Sequence, residues 1–322
     1  MDPAQFFAAS RVLIVAGKGG VGKSTVSAAM ARAAARAGLS TLIVEIEGKS
    51  GISGLFGRPP FGYEEAVLHP GGGPEGAADV RARLLTPDDA LLEYLEDHGL
   101  HRVTRKLLSG GALDVVSTAV PGIRDILVLG KVKQLERSGV ADLIVLDAPA
   151  AGHAITFLRS ARGLLDAARV GPINTQAAEV LEMLTDPARC QVVLVTVPEE
   201  TPVNELVDTA YSLEDEVGVS LGPVVVNGRY PALDGLDADP ATLLTGVRPP
   251  DGELAAMAEA AAFRRHRAAL QAEQVQRLGT TLPLPQLQLP FLFSTDLGPV
   301  ELEQLVDATV EGIGALDALP ER

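Results

Sequence analysis

Residues 12–25 read Val12-Leu13-Ile14-Val15-Ala16-Gly17-Lys18-Gly19-Gly20-Val21-Gly22-Lys23-Ser24-Thr25, and their reading decides the fold. A short apolar, β-rich run feeds a glycine-rich loop, which opens into the alanine-rich, helix-favouring stretch Val26–Ala37. Gly17-x4-Gly22-Lys23-Ser24 is the frame of a phosphate-binding loop. Its glycines let backbone N–H groups turn toward phosphate oxygens, because no Cβ blocks the dihedrals required. Gly19, Gly20, Val21 and Gly22 are therefore expected to cradle phosphates. Thr25 stands at the helix N-terminus, which adds donors and partial positive charge. Lys23 is expected to reach the β- and γ-phosphates, and the Ser24 hydroxyl to ligate Mg²⁺.

Working outward, β-rich runs alternate with helical patterns. Thr41–Ile46, Val80–Leu85, Ala141–Leu146, Cys190–Val197, Pro223–Asn227 and Leu287–Phe291 read as strands. Helical patterns cover Val203–Val217, Glu253–Leu278 and Pro299–Leu316. This order predicts an α/β protein with a doubly wound, mostly parallel sheet, and with ligands at the carboxyl ends of the strands. Residues 88–138 are mostly helical in pattern. A parallel crossover needs only about a dozen residues. The extra length is read as an inserted α-helical subdomain, 86–139, within a single domain spanning 1–322. The Pro-, Asp- and Gly-rich stretch Tyr230–Asp251 reads as a loop.

Composition narrows the classes. One cysteine excludes an internal disulfide and a thiolate metal cluster, and Cys190 opens an apolar strand as a small buried hydrophobe would. No apolar run approaches the roughly 20 residues that span a bilayer, so no integral membrane segment is expected. Met1–Arg11 lacks signal-peptide features, which points to the cytoplasm. A formal charge of −15 opposes binding to nucleic acid or anionic lipid. The closing helix carries Glu301, Glu303, Asp307 and Glu311 with no Lys or Arg, unlike a basic membrane anchor.

Asp147 follows Leu143-Ile144-Val145-Leu146, an apolar strand delivering one carboxylate beside the loop. Its expected task is to hold water of a Mg²⁺ shell, since Mg²⁺ retains several waters; capping a turn is the alternative. Lys18 is not needed to cradle the phosphates of its own chain. The loop resembles the deviant phosphate-binding loop shared by the ArsA/Get, MinD and ParA ATPases and the nitrogenase iron protein. There the equivalent lysine crosses a dimer interface to the facing nucleotide, in the manner of an arginine finger supplied in trans. A solvated surface lysine is the alternative.

Asp147-Ala148-Pro149-Ala150-Ala151-Gly152-His153 resembles switch II of the ArsA/Get family specifically, Asp-x4-Gly-His. Thr86-Pro87-Asp88-Asp89-Ala90, Ala119-Val120-Pro121-Gly122-Ile123, Thr185-Asp186-Pro187 and Val224-Val225-Val226-Asn227 resemble further family landmarks in order. The resemblance covers about residues 10–230 well and the rest weakly. It implies ATP and Mg²⁺, with Gly152 and His153 sensing the γ-phosphate and Asn227 reading the adenine edge. Asn227 could instead simply form the turn before Gly228. By position, Pro290 and Phe291 are expected to line the base pocket. In switch I the family has an Asp that positions the attacking water. Here Glu47 stands in that place, one methylene longer, with Glu45 as the alternative carboxylate.

The single phosphate-binding loop departs from the arsenite pumps with two fused copies, so a second half-site is expected from another chain. A homodimer and a heterodimer with a paralogous ATPase subunit both fit. One cysteine is too few for a metalloid site or a zinc-bridged CxxC dimer. The expected function is a Mg-ATP-hydrolysing dimeric switch. The alternatives are a nucleotide-binding subunit of low turnover that completes a partner, or a chaperone for a hydrophobic protein client held in a leucine-rich groove of the helical subdomain.

Overall fold

The computed structural model describes residues 1–46, 51–72, 76–97, 122–167, 171–236, 238 and 252–316. In chain order the elements are α1 (Pro3–Ala8), β1 (Val12–Gly17), α2 (Lys23–Arg36), β2 (Thr41–Ile46), α3 (Ile52–Leu55), β3 (Ala66–His69), β4 (Val80–Leu85), α4 (Pro87–Asp97) and α5 (Ile123–Ser138). They continue with β5 (Leu143–Ala150), α6 (Ala151–Ala167), α7 (Pro172–Thr185), β6 (Cys190–Thr196), α8 (Glu200–Glu216), β7 (Val224–Arg229), α9 (Glu253–Thr281), β8 (Gln286–Pro290) and α10 (Pro299–Ala315).

The strands among the described residues form one sheet in the order β3-β4-β2-β5-β1-β6-β7-β8. All neighbours are parallel except the short edge strand β3, which runs antiparallel to β4. β1 lies between β5 and β6, so the chain winds outward from it in both directions. That is the topological switch point, where a ligand crevice opens at the strand carboxyl ends. The doubly wound, mostly parallel α/β sheet expected from the sequence is therefore present.

Strand alternation sends successive side chains to opposite faces, and each face has its own core. Val12, Ile14 and Ala16 of β1 join Leu42, Val44, Ile144 and Leu146 beneath α4–α8. Leu13 and Val15 join Ile43, Val145 and Val193 beneath α2 and α10. Both faces are covered, which is why these strands read as continuous apolar runs. α2 is buried along Val26–Ala35, and its alanines combine high helix propensity with bulk small enough to fit under α10. Arg32 and Arg36 tie that pair together, Arg32 to Glu303 at 2.8 Å and Arg36 to Asp307 at 2.6 Å.

The structure revises several local expectations. β5 runs on through Asp147 to Ala150, rather than stopping at Leu146. The stretch after β2 holds the single turn α3, and β3 is an edge strand in addition to those read in the sequence. Leu127 and Leu129, two leucines of the subdomain expected to offer a client groove, are buried in the same core as β1 and β5. Residues 98–121, the centre of the expected helical subdomain, lie outside the described residues. No helix among the described residues is long and apolar enough to cross a membrane.

Candidate functional site

The loop after β1 begins on a tight approach. A Cβ at Gly17 would lie 2.3 Å from the Val195 carbonyl oxygen of β6, so the strand can pass there only without a side chain. Gly22, the N-cap of α2, has φ +89°, in the left-handed region that favours glycine. A Cβ on Gly22 would lie 2.3 Å from Asn227 Nδ2. Asn227 itself donates from Nδ2 to the Val21 carbonyl at 2.9 Å. The end of β7 thus sits directly against the loop.

Ser24 and Asp147 meet where the sequence placed them. Ser24 Oγ donates to Asp147 Oδ2 at 2.6 Å, and Ser27 Oγ donates to Oδ1 at 3.1 Å. Ser27 was not singled out in the sequence, although its i+3 spacing from Ser24 puts both hydroxyls on one helix face. Asp147 is 7 % exposed. Burial pushes its carboxyl above the ordinary value, against the pull of the Ser24 and Ser27 hydrogen bonds and of the Lys23 charge; Glu45 adds to the rise. Glu45 is the register partner of Asp147 on β2 and is also buried. Its neighbour in the alternation, Glu47, and with it the expected switch I, lies outside the described residues.

The two lysines of the loop are held differently. Lys23 Nζ donates to the Lys18 carbonyl at 3.1 Å, curling back over the loop. Burial lowers its affinity for a proton, partly offset by Asp147. Lys18 instead extends to α8, where Nζ donates to Glu205 Oε1 at 2.5 Å. Glu205 carries no local sequence signal of this role, and nothing but the fold brings it to the loop.

Asp147 leads through the end of β5 into α6, whose first turn contains Gly152 and His153. The side chains of that turn lie outside what is described, and with them the sensing role expected for His153. At the opposite side, Phe291 N donates to the Arg229 carbonyl at 2.7 Å, extending the β7–β8 pairing past Pro290. Phe291 packs on Tyr230 and Phe293 with ring centroids 5.3 and 4.8 Å away, and the Arg264 guanidinium lies over both Tyr230 and Phe293. A cleft of about 530 Å³ lined by Arg229, Tyr230, Arg264, Gln271 and Pro290 adjoins this cluster. Tyr230, Phe293 and Arg264 were not identified from the sequence, because their proximity is set by the β7–β8 pairing.

A parallel sheet with a glycine loop at its switch point, and a serine and a buried aspartate meeting behind that loop, defines a P-loop nucleotide-hydrolase fold. Comparison with known proteins agrees. The family model described as anion-transporting ATPase matches residues 10–166. The chain is 34% identical over 310 residues to ATPase BagA of Mycobacterium tuberculosis, covering 89% of each chain. It is 27% identical to a Halobacterium salinarum protein provisionally named an arsenical pump-driving ATPase, across 96% of this chain and 46% of that one. It is 28% identical over 177 residues to ATPase get3 of Schizosaccharomyces japonicus, across 52% of each. The chain belongs to the ArsA/Get family of ATPases.

Proposed function

We propose that this ATPase is a Mg-ATP-driven switch that closes across two copies of the chain, with Lys18 of each copy reaching the nucleotide of the other. The observation that carries the proposal is the division of labour between the two lysines. Lys23 turns inward over its own loop, while Lys18 extends away from it to Glu205. A lysine whose ammonium points away from its own phosphate cradle is placed to serve a facing one once it leaves Glu205.

The residues present fit a bound Mg²⁺. Ser24 offers a hydroxyl oxygen, and Asp147, within 2.6 Å of it, offers a carboxylate to hold water in the metal shell. When bound, the ion would neutralise charge on the β- and γ-phosphates. The loop N–H groups and Lys23 bind the phosphates and stabilise the charge that develops on them. A carboxylate at the end of β2, Glu47 in our reading, orients the attacking water. Its oxygen bonds to the γ-phosphorus as the bridge to the β-phosphate breaks, and its proton leaves to the phosphate or solvent. Asn227 and the Phe291 cluster face the base end, and Gly152 and His153 report γ-phosphate loss as switch II.

The test is the mass and turnover of the purified chain with ATP, with ADP and with a non-hydrolysable ATP analogue. Dimers with the analogue and steady hydrolysis are expected. ATP binding with neither dimer nor turnover would replace the homodimer with a paralogous partner. Wild-type turnover in Lys23→Ala would overturn the site itself.

A further inference from the structure

We infer that Glu205 is a positioning residue for Lys18, holding its ammonium on the chain's own surface until a facing triphosphate takes it. The inference rests on Lys18 acting in trans. Three observations support it. First, the hook is rigid: α8 buries Val203, Leu206, Ala210 and Leu213, and α9 braces its N-terminal turns through Arg267–Glu199 at 2.5 Å and Arg277–Asn204 at 2.6 Å. Second, the Lys18 backbone is tied to its own loop while its side chain reaches away, because its carbonyl accepts from Lys23 Nζ at 3.1 Å. Third, the pair is accessible, with side chains 39% and 43% exposed, so it can open without unfolding anything.

The energetics suit a latch rather than a brace. An exposed ion pair contributes only about 0.2–1 kcal/mol, too little to matter to the fold. It is weak enough to yield to a triphosphate, which offers several negative charges where Glu205 offers one. Nucleoside diphosphate lacks the γ-phosphate charge and competes less well. The latch therefore biases the free chain toward the open monomer and makes closure depend on the third phosphate.

The test is sedimentation equilibrium with Mg²⁺ and a non-hydrolysable ATP analogue, on wild type, Glu205→Gln, Glu205→Asp, Lys18→Ala and the Lys18→Ala/Glu205→Gln double variant. Two latches open per dimer. Glu205→Gln should therefore tighten the dimer Kd by about 2- to 30-fold, the square of what one exposed pair supplies. Glu205→Asp, which keeps the charge, should stay near wild type. In the Lys18→Ala background the same substitution should change nothing. Weaker or unchanged dimerisation of Glu205→Gln, or an equal shift in the Lys18→Ala background, would overturn the latch. Lys18→Ala dimerising like wild type would overturn the trans role of Lys18, and the latch with it. A Lys18→Ala defect beside an unchanged Glu205→Gln would overturn the latch alone.

Discussion

The inner and outer ends of the crevice are built on different terms. At the inner end Ser24, Ser27, Lys23 and Asp147 sit against the centre of the sheet, hydrogen-bonded to one another or to the loop. At the outer end Lys18 and Glu205 pair in solvent, and Phe291 and Phe293 lie 40% and 64% exposed. The inner groups are organised before any ligand arrives, as charge stabilisation requires. The outer groups hold contacts that can be exchanged. One end is suited to chemistry and the other to recognising nucleotide and partner.

Four substitutions sharpen that contrast. Lys23→Ala removes the inner charge and should lower kcat by about 100- to 1,000-fold, measured by phosphate release. Asp147→Asn should lower it by about 100-fold, yet leave the Tm without nucleotide unchanged or raised near neutral pH. The sign follows from burial, which raises the carboxyl in the folded state. The fold then holds that proton where the unfolded chain has lost it, so stability falls as pH rises through this window. Asparagine removes that cost, and its advantage should vanish in acid, below the ordinary carboxylate range. A Tm that drops at neutral pH would instead make Asp147 a stabilising residue.

Gly22→Ala should destabilise the chain by about 1–3 kcal/mol in denaturant titration, because alanine is strained at this backbone angle and its methyl meets Asn227. Adding Asn227→Ala should recover only the part due to contact. The smallest effect belongs to the outer end. Phe291→Ala should raise the KM for ATP by about 2- to 10-fold with kcat held, as loss of one aromatic contact implies. A kcat loss comparable to that of Lys23→Ala would erase the distinction between the two ends.

Apart from Ser27, the inner end was legible in the sequence because its determinants are local. The apolar run, glycine spacing and Lys23-Ser24 sit on consecutive residues, and Asp147 follows an equally clear apolar run, Leu143–Leu146. Val80–Leu85 was recovered residue for residue for the same reason. The outer end depends on contacts distant in sequence. Lys18 and Glu205 are 187 residues apart, and Tyr230 meets Phe293 only because β7 and β8 pair. Hydrophobicity alone cannot separate a groove from a core, so Leu127 and Leu129 became legible only once α5 was seen against the sheet. β3 is four residues of weak alternation at an edge, and its pairing with β4 shows only in the fold.

The shared site is tested most directly by mixing two damaged chains. Lys18→Ala keeps its own phosphate loop but offers nothing in trans, whereas Lys23→Ala has a dead loop and an intact Lys18. Each alone should be nearly inactive. In an equal mixture about half of the dimers pair one of each and carry one complete site, so hydrolysis should return to about one quarter of the wild-type rate. No recovery on mixing, or wild-type turnover by Lys18→Ala alone, would contradict a site completed across two chains.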